Sequence, residues 1–352
     1  MRKLKILIGG MFMKSWMLLV VIAFISTITL VACGTEDSSG DAEAEEKGNR
    51  VSEDGKTYKI GATQIVEHPS LDEAYKGFQD ALKEAGLDVE YDFQSAQGDQ
   101  NNVNTIAKNF VADDVDLIFG NSTPSALGAL QVTNDIPIVF TSVTDAVEAG
   151  LIDSMDEAAE NITGVLDLHP DSIKKTVDFI DKYFGGANIG LLYNAGEQNS
   201  VIQIEAVKEA VEGTSLSTSE RTVANSSEVQ QAATTLVGKA DVMFIVTDNT
   251  VVSALDSVIG VAKEQGIPLL VGEPDSLERG GFATYGIDYH SIGYRSGEMA
   301  AEILTGDKTT ADFPVEYPKE IQLFINKQAG EEQGIEWNDE WDDLAEFVEP
   351  EK

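Results

Sequence analysis

Residues 115–140 read VDLIFGNSTPSALGALQVTNDIPIVF, and residues 240–271 read ADVMFIVTDNTVVSALDSVIGVAKEQGIPLLV. Both stretches begin with an apolar strand and continue through a polar turn of Thr, Asn or Ser. A helix that carries Ser-Ala-Leu follows in each, and then a second strand that starts with Ile-Pro. A strand, a helix and a strand in this order form a βαβ unit with parallel strands. The echo therefore predicts two similar lobes, each built on a parallel sheet covered by helices.

The same alternation extends outward in both directions from these two stretches. Strands are predicted at 58–65, 87–96, 115–122, 136–143, 161–165, 188–194, within 215–223, and at 240–248, 267–273, 283–288 and 321–326. Helices are predicted near 70–85, 100–112, 123–132, 171–184, 199–212, 226–237, 250–264 and 289–304. In the first helix, Leu71, Tyr75, Phe78 and Leu82 recur at three- and four-residue spacing, which is typical of a buried stripe. The sequence therefore predicts an α/β fold.

Composition excludes several classes of function. The chain has 352 residues, with 24 Lys plus Arg against 61 Asp plus Glu, which gives a formal net charge of −37. A phosphate backbone repels such a surface, so non-specific nucleic-acid binding is excluded as the default. The hydrophobic share of 42% is that of a globular protein, and the length suggests two domains. The single cysteine, Cys33, rules out an intramolecular disulfide and a zinc site built from cysteines.

The N-terminus resembles an export signal. Residues 1–14 carry four basic side chains and no acidic one, and residues 15–32 are apolar or small. The segment Leu30-Val31-Ala32-Cys33 resembles a lipobox, which implies cleavage after a signal peptide at 1–32 and lipidation of Cys33. An uncleaved anchor helix is the alternative, because the apolar run is almost long enough to span a bilayer. Residues 33–56 are acidic and lack aromatic side chains, so we interpret them as a solvated tether.

Polar residues follow the predicted strands, where open parallel sheets bind their ligands. None of these residues is Lys or Arg. They are Thr63, Gln64, His68, Asn121, Ser122, Thr123, Thr141, Ser142, Thr144, Asp145, Tyr193, Asn194, Asn199, Ser200, Thr247, Asp248, Asn249, Glu273, Asp275, Tyr285 and Asp288.

Two kinds of chemistry stand out in this set. Hydroxyl groups and free backbone N–H groups at helix or loop starts suit a carboxylate. The predicted carboxylate ligands are Ser122, Thr123, Ser142 and Thr144. Asp248 and Asp288, in the other half, are acceptors that suit an ammonium group. An anion site that faces a cation site describes a zwitterion, such as an amino acid. Each residue has a structural alternative, because Ser, Thr and Asp in such places are also common N-caps.

Catalytic interpretations find little support. The sequence contains no GxSxG, HExxH or Walker motif, and no GxGxxG after a strand. His68, His169 and His290 are spaced in a way that suggests no metal cluster. Ser122 or Ser142 as a nucleophile would need a base that the sequence does not place. We therefore predict a binding protein with no catalytic residues, metal or cofactor.

Several long motifs resemble one known family. They are TQIVEHPSLDEAYKGF, FGNSTPSAL, IPIVFTSVTDAVEAGL, NITGV, LLYNAGEQNS, IVTDNTVVSAL and ATYGIDYHSIGYRSGEMAAEIL. Over residues from about 57 to about 340, the chain resembles ABC-transporter substrate-binding lipoproteins of the tryptophan/tyrosine type. The resemblance implies a type I periplasmic-binding-protein fold, in which two Rossmann-like lobes joined by three hinge strands clamp a ligand. It also implies an aromatic amino acid whose side chain is surrounded by Gln64, His68, Tyr193, Asn194 and Tyr285.

The resemblance also sets expectations for organisation and partners. We expect an N-lobe of 57–166 plus about 289–318 and a C-lobe of 167–288 plus about 319–349. The expected role is that of a receptor, lipid-anchored on the extracytoplasmic face, that delivers its ligand to an ABC permease and its ATPase. A sugar or nucleoside receptor of the same fold is an alternative. It is disfavoured because Trp337 and Trp341 lie in the acidic C-terminal stretch, so the cleft loops offer Tyr but no Trp. A sensor ectodomain without transport is the other alternative.

Overall fold

The computed structural model describes residues 55–350, and the first part of this range forms a five-stranded sheet. Its strand order is β2-β1-β3-β4-β5, with every pairing parallel. The strands are β1 Thr57–Gln64, β2 Asp88–Ser95, β3 Leu117–Asn121, β4 Ile138–Val143 and β5 Ile162–Leu166. The helices between them are α1 Pro69–Glu84, α2 Gln100–Ala112 and α3 Thr123–Leu130. Every residue of β3, β4 and β5 is buried, as expected for parallel strands covered on both faces.

A second sheet follows, with seven strands in the described range and the order β12-β11-β10-β9-β8-β6-β7. Its pairings are parallel except that between β10 and β11. The strands are β6 Asn188–Asn194, β7 Ser217–Val223, β8 Val242–Ile245, β9 Leu269–Val271, β10 Ala283–Gly286, β11 Gln322–Ile325 and β12 Ala345–Phe347. The helices are α4 Ser172–Tyr183, α5 Gln198–Val211, α6 Val229–Leu236, α7 Asn249–Ser253, α8 Leu255–Gln265, α9 Asp275–Arg279, α10 Tyr289–Leu304, α11 Lys327–Glu332 and α12 Trp341–Leu344.

Helix α10 lies in sequence between β10 and β11 of the second sheet, but it packs against α1 and the first sheet. The two helix backbones approach closely, because a Cβ atom at Gly293 would lie 1.8 Å from the carbonyl oxygen of Ala74. Glycine is therefore required at this crossing. We call β1–β5 with α1–α3 and α10 the N-lobe, and β6–β12 with the other helices the C-lobe. Within residues 55–350 the chain passes between these lobes three times: after β5, after β10 and before β11. The predicted α/β fold with two parallel-sheet lobes is confirmed.

The helix predicted near 250–264 is in fact two helices. Ala254, between α7 and α8, has φ −117° and ψ 22°, which lies outside the helical region. The acidic C-terminal stretch also has more structure than its composition suggests, since it forms β12 and α12. Trp341 is only 2% exposed and packs against Phe179 and Phe282, so apolar contacts fix this stretch to the C-lobe.

The predicted signal peptide, Cys33 and nearly all of the predicted tether lie outside the described residues. In the part that the structure describes, no helix combines the length and the apolar character needed to cross a membrane.

Candidate functional site

A small buried cavity lies where the two lobes meet. It is lined by His68, Leu71, Ser142, Asp167, Asn199, Thr247, Asn249, Val252, Glu273 and Tyr289. Several of these residues follow the carboxyl ends of strands, which is where open parallel sheets bind their ligands. The volume of the cavity is about 10 Å³, which is room for about one water molecule. The lobes are therefore closed tightly onto each other.

Asp167 contributes a carboxylate from the first segment that joins the lobes. Its side chain is buried, and Oδ2 accepts a hydrogen bond of 2.8 Å from the Tyr289 hydroxyl. Oδ1 is also buried and has no hydrogen-bond partner among the described residues. Burial raises the pKa of Asp167 to about 6, and the hydrogen bond from Tyr289 moderates the rise. A buried acceptor without a donor is unfavourable, so this oxygen is suited to a ligand N–H.

Glu273 contributes a second carboxylate, from the turn after β9. It is 1% exposed, and Oε1 accepts a hydrogen bond from the Ser276 hydroxyl. Oε2 has no partner within residues 55–350, and the same is true of Oδ1 of Asn199. Burial raises the pKa of Glu273 to about 8, although the Ser276 hydrogen bond opposes this rise. With Asp167, three residues that line the cavity carry an unpaired oxygen, which matches the three donors of an ammonium group.

His68 approaches the C-lobe from the N-terminus of α1. Its Nε2 atom lies 3.4 Å from Oδ1 of Asn249, across the interface between the lobes. Burial lowers the pKa of His68 to about 4, so the ring is neutral at pH 7. Nδ1 has no partner in the described part of the chain. A neutral histidine can donate a hydrogen bond from one ring nitrogen without adding charge.

Ser142 is held in place by a chain of side-chain amides. Its hydroxyl donates to Oδ1 of Asn121 at 2.7 Å, Asn121 donates to Oε1 of Gln64 at 3.0 Å, and Gln64 donates to Asp72 at 2.8 Å. Ser142 has φ 57°, and the register between β4 and β5 shifts just beside it. A non-glycine residue in this region is uncommon, and a bulge re-aims a side chain. Gln64 thus supports Ser142 and is not among the described residues that line the cavity.

Ser122 and Thr123 start helix α3. The Ser122 side chain accepts a hydrogen bond of 3.3 Å from the backbone N–H of Ser125, which makes it the N-cap. Thr123 is 2% exposed, and its hydroxyl has no partner in the described structure. Neither residue belongs to the described lining of the closed cavity. Thr144, the fourth predicted hydroxyl, accepts a hydrogen bond of 3.1 Å from Gln203 of the C-lobe.

Asp248 has both carboxylate oxygens engaged by the backbone. Oδ1 accepts from Val251 N at 2.7 Å and thereby caps α7, and Oδ2 accepts from Asn194 N at 2.6 Å. The side chain is fully buried, and burial together with the neighbouring Glu197 raises its pKa to about 7. In the described closed structure, Asp248 therefore acts as a helix cap, and backbone N–H groups occupy both of its carboxylate oxygens. Asn194 likewise serves its own loop, because its side chain donates to the Thr250 hydroxyl at 2.9 Å.

Three predicted site residues lie away from the cavity. Asp288 is exposed and caps α10 by accepting from Ser291 N at 3.2 Å. Tyr193 donates its hydroxyl to Glu220 at 3.0 Å. Tyr285 packs near Phe179 in the C-lobe core. These side chains thus serve packing and capping, since both tyrosines pack against the C-lobe core and Asp288 stands at the start of a helix.

The sequence interpretation missed three residues at the interface: Asp167, Gln203 and Tyr289. Asp167 directly follows β5, so the rule used for the other strands would have found it. Gln203 lies inside α5, and no motif near it in the sequence marks it as an interface residue, because its partners Thr144 and Thr247 are distant in sequence. The strand-end set did include Asn199, Thr247, Asn249 and Glu273, but without assigned roles.

Comparisons with known proteins agree with this geometry. Residues 59–348 match the family model described as "ABC transporter substrate binding protein". The chain is 39% identical to a "Tyrosine-binding protein" of Clostridioides difficile over 319 residues, which cover 89% of this chain and 90% of the relative. A Streptococcus pneumonia ABC domain in complex with L-Trp has a TM-score of 0.78 at 33% identity, covering 83% of this chain and 100% of that one.

A third relative differs in its arrangement. The ligand-free, open structure of a substrate binding protein with adhesive properties from Clostridium difficile has a TM-score of only 0.61, although its identity is 37%. The match covers 84% of this chain and 100% of that one. A lower TM-score at higher identity is what a different angle between two rigid lobes produces. This agrees with the closed cavity described above. From the matched family model and these relatives, we conclude that the chain belongs to the family of ABC transporter substrate-binding proteins, which bind solutes and are not enzymes.

Proposed function

We propose that this protein captures a zwitterionic aromatic amino acid outside the cytoplasm and delivers it to an ABC permease and its ATPase. The observation that carries the ligand class is the pair of buried carboxylates, Asp167 and Glu273, each with an unpaired oxygen at the interlobe cavity. An ammonium group would donate a hydrogen bond to each of these two oxygens, and its positive charge is opposite to that of a carboxylate. The names of the relatives, one of which binds tyrosine and one of which holds L-Trp, support an aromatic side chain.

The proposed roles follow from the hydrogen bonds. Asp167 and Glu273 receive the ammonium group, in place of Asp248 and Asp288. The carboxylate of the ligand is received by N-lobe donors: Ser142, the Thr123 hydroxyl and the start of α3, and neutral His68. The start of an eight-residue helix with an unpaired hydroxyl suits an anion. Leu71 of the N-lobe and Val252 of the C-lobe both line the cavity and would contact the ring.

Binding requires the lobes to open and close. The closed cavity holds about one water molecule, so an amino acid must enter an open form of the protein before the lobes close around it. The proposed moving bodies are 57–166 with about 289–318 and 167–288 with about 319–349. A ligand shifts this equilibrium only by the difference in its affinity for the two forms. Contacts made by both lobes to one ligand provide that difference.

The lipid anchor is part of the proposal. Cleavage before Cys33 and acylation of its thiol would hold the protein at the extracytoplasmic membrane face, with residues 34–56 as a tether. Replacing Cys33→Ser is expected to release the protein from membranes, as measured by fractionation of cells. Persistent membrane association of this variant would favour an uncleaved anchor helix.

Calorimetry with the full chain in detergent solution tests the ligand. L-tyrosine, L-tryptophan and L-phenylalanine are titrated beside tyramine, which lacks the carboxylate, and 3-(4-hydroxyphenyl)propionate, which lacks the amine. We expect the zwitterions to bind at least about 100-fold more tightly than either analogue, since each lost charged hydrogen bond costs about 1.5–3 kcal/mol. Binding of glucose or a nucleoside with no binding of amino acids would contradict the proposal.

A further inference from the structure

One buried amide links the two lobes without lining the ligand cavity. Gln203 lies in α5 of the C-lobe and is 1% exposed. Its Nε2 atom donates to the Thr247 hydroxyl at 2.6 Å and to the Thr144 hydroxyl at 3.1 Å, and lies 3.4 Å from the Asn199 carbonyl oxygen. Its Oε1 atom accepts from the backbone N–H of Thr247 at 3.2 Å. The amide thus engages both lobes at once.

The partners of Gln203 adjoin the proposed ligand groups on both sides. Thr247 itself lines the cavity. Thr144 directly follows β4, and Val143 beside it accepts a hydrogen bond of 3.0 Å from the backbone N–H of Asp167. The Gln203 amide therefore contacts the cavity lining directly at Thr247. It reaches the proposed ammonium ligand Asp167 through Thr144 and the adjacent Val143.

We propose that Gln203 is a positioning residue that couples closure of the lobes to assembly of the ligand site, with Thr144 as its partner across the interface. The proposal rests on the proposed function, because it concerns release of the same ligand. When the lobes open, the Gln203–Thr144 bond breaks while both Gln203–Thr247 bonds, which lie within the C-lobe, remain. The bond across the interface therefore adds to the stability of the closed form alone.

Among the described residues, two other polar contacts cross the interface, and both are weaker candidates: the buried pair of His68 Nε2 and Asn249 Oδ1 is 3.4 Å apart, against 3.1 Å for Gln203 and Thr144, and the third contact is exposed. Gln198 also reaches the N-lobe, where it donates to the Glu148 carbonyl oxygen at 2.6 Å, but both residues are exposed. Water replaces an exposed hydrogen bond at little cost, whereas a buried donor left without its acceptor remains unsatisfied. The Gln203–Thr144 pair is thus expected to lengthen the lifetime of the closed complex.

A double-mutant cycle measured by stopped-flow kinetics tests the proposal. The full chain in detergent solution is mixed with L-tyrosine as Gln203→Met, as Thr144→Val and as the double variant. We expect each single change to raise the dissociation rate about 5- to 10-fold and to leave the association rate within about 2-fold. The double variant should dissociate no faster than about the faster single variant, because both changes remove the same bond.

Conservative rescue separates positioning from a general structural effect. Thr144→Ser keeps the hydroxyl and should restore the slow dissociation of the wild type, whereas Thr144→Val should not. If Gln203→Met fails to fold, the comparison of Thr144→Ser with Thr144→Val still tests whether the bond across the interface slows dissociation. Multiplicative effects in the double variant, or equal rates for Thr144→Ser and Thr144→Val, would overturn the role of Gln203. Failure of the wild-type chain to bind L-tyrosine, L-tryptophan or L-phenylalanine would instead overturn the proposed function.

Discussion

The turns before α3 and α7 are similar in sequence but differ in which groups cap the helix that follows. In the N-lobe turn, the N-cap of α3 is the neutral Ser122, and the adjacent Thr123 hydroxyl is buried and unpaired among the described residues. In the C-lobe turn, the N-cap of α7 is Asp248, and Glu197 adds a second carboxylate. Glu197 accepts from the backbone N–H groups of Asn249 and Thr250 at 3.1 and 2.9 Å.

The comparison shows that a shared strand–turn–helix pattern does not fix the chemistry of the turn. The α7 start is already occupied by carboxylates of its own lobe, so it cannot receive an anionic ligand. The α3 start carries only hydroxyls, so an external carboxylate would complete it. In the proposed function, two lobes of similar topology therefore take different parts of the ligand, according to which helix start the protein fills by itself.

The largest expected effect contrasts the carboxylates that line the cavity with those that cap helices. Asp167→Asn and Glu273→Gln should each weaken L-tyrosine binding by about 10- to 100-fold, because a charged hydrogen bond to the ammonium is lost. Asp288→Asn, at the exposed cap of α10, is the matched control and should change affinity less than about 2-fold. Calorimetry measures all three. An Asp288→Asn effect as large as that of Asp167→Asn would return the ammonium site to Asp288.

The second effect concerns stability and contrasts the two caps directly. Asp248→Ala should lower the free energy of unfolding by about 2–3 kcal/mol, since it removes a cap and leaves the partly buried backbone N–H of Asn194 without an acceptor. Ser122→Ala, which removes only a neutral cap, should cost about 1 kcal/mol. Urea titrations followed by circular dichroism provide both values. Equal losses would indicate that the two turns are energetically equivalent.

A third pair of variants separates binding from stability. Thr123→Val removes an unpaired hydroxyl, so it should leave stability unchanged while weakening L-tyrosine binding about 3- to 10-fold. Thr250→Val removes a hydroxyl that donates to Glu197 at 2.6 Å, so it should cost about 1 kcal/mol of stability and leave affinity unchanged. Thermal unfolding measures the stability of both variants, and calorimetry measures their affinity for L-tyrosine. The opposite pattern would place the ligand carboxylate at α7.

The smallest effect is the uptake or release of protons. Burial raises the pKa of Glu273 to about 8, so this carboxyl is mostly protonated at pH 7 in the ligand-free closed form. An adjacent ammonium favours the charged carboxylate, so binding at pH 7 should release up to about one proton. Glu273→Gln should reduce this release. Calorimetry in two buffers with different ionisation enthalpies measures it, and proton uptake would contradict the assignment.

The same shift has a defined sign for stability. Because the folded pKa of Glu273 lies above its ordinary value of 4.5, the folded state binds the extra proton between about pH 4.5 and 8. The contribution of this group to stability is therefore lost as the pH rises through that window. Asp167, with a pKa of about 6, acts in the same direction over a narrower range.

Much of the fold could be predicted from local patterns. The strands and helices up to residue 304 agree with their predictions closely, apart from the break at Ala254 and the short α9. Buried parallel strands appear in the sequence as short apolar runs, and helices as stripes at three- and four-residue spacing. The C-terminal elements β12 and α12 escaped prediction because an acidic composition concealed apolar anchors such as Trp341.

The candidate site was predicted less completely. The strand-end rule located His68 and Ser142 at the cavity, but it could not distinguish a ligand contact from a cap. Asp248 illustrates the difficulty, since its partner Asn194 is 54 residues away. Tyr193 and Tyr285 satisfy the same rule but pack against the C-lobe core and do not line the cavity.

By itself, the sequence determined the alternation of strands and helices, the duplication of the lobes and the edge of the sheets at which polar residues gather. These features depend on periodicity and on neighbours within a few residues. The tertiary structure alone decided which polar groups remain unpaired, because each buried donor or acceptor is satisfied by contacts between distant segments. Gln203 and Thr144, 59 residues apart on facing lobes, meet only when the chain is folded and closed.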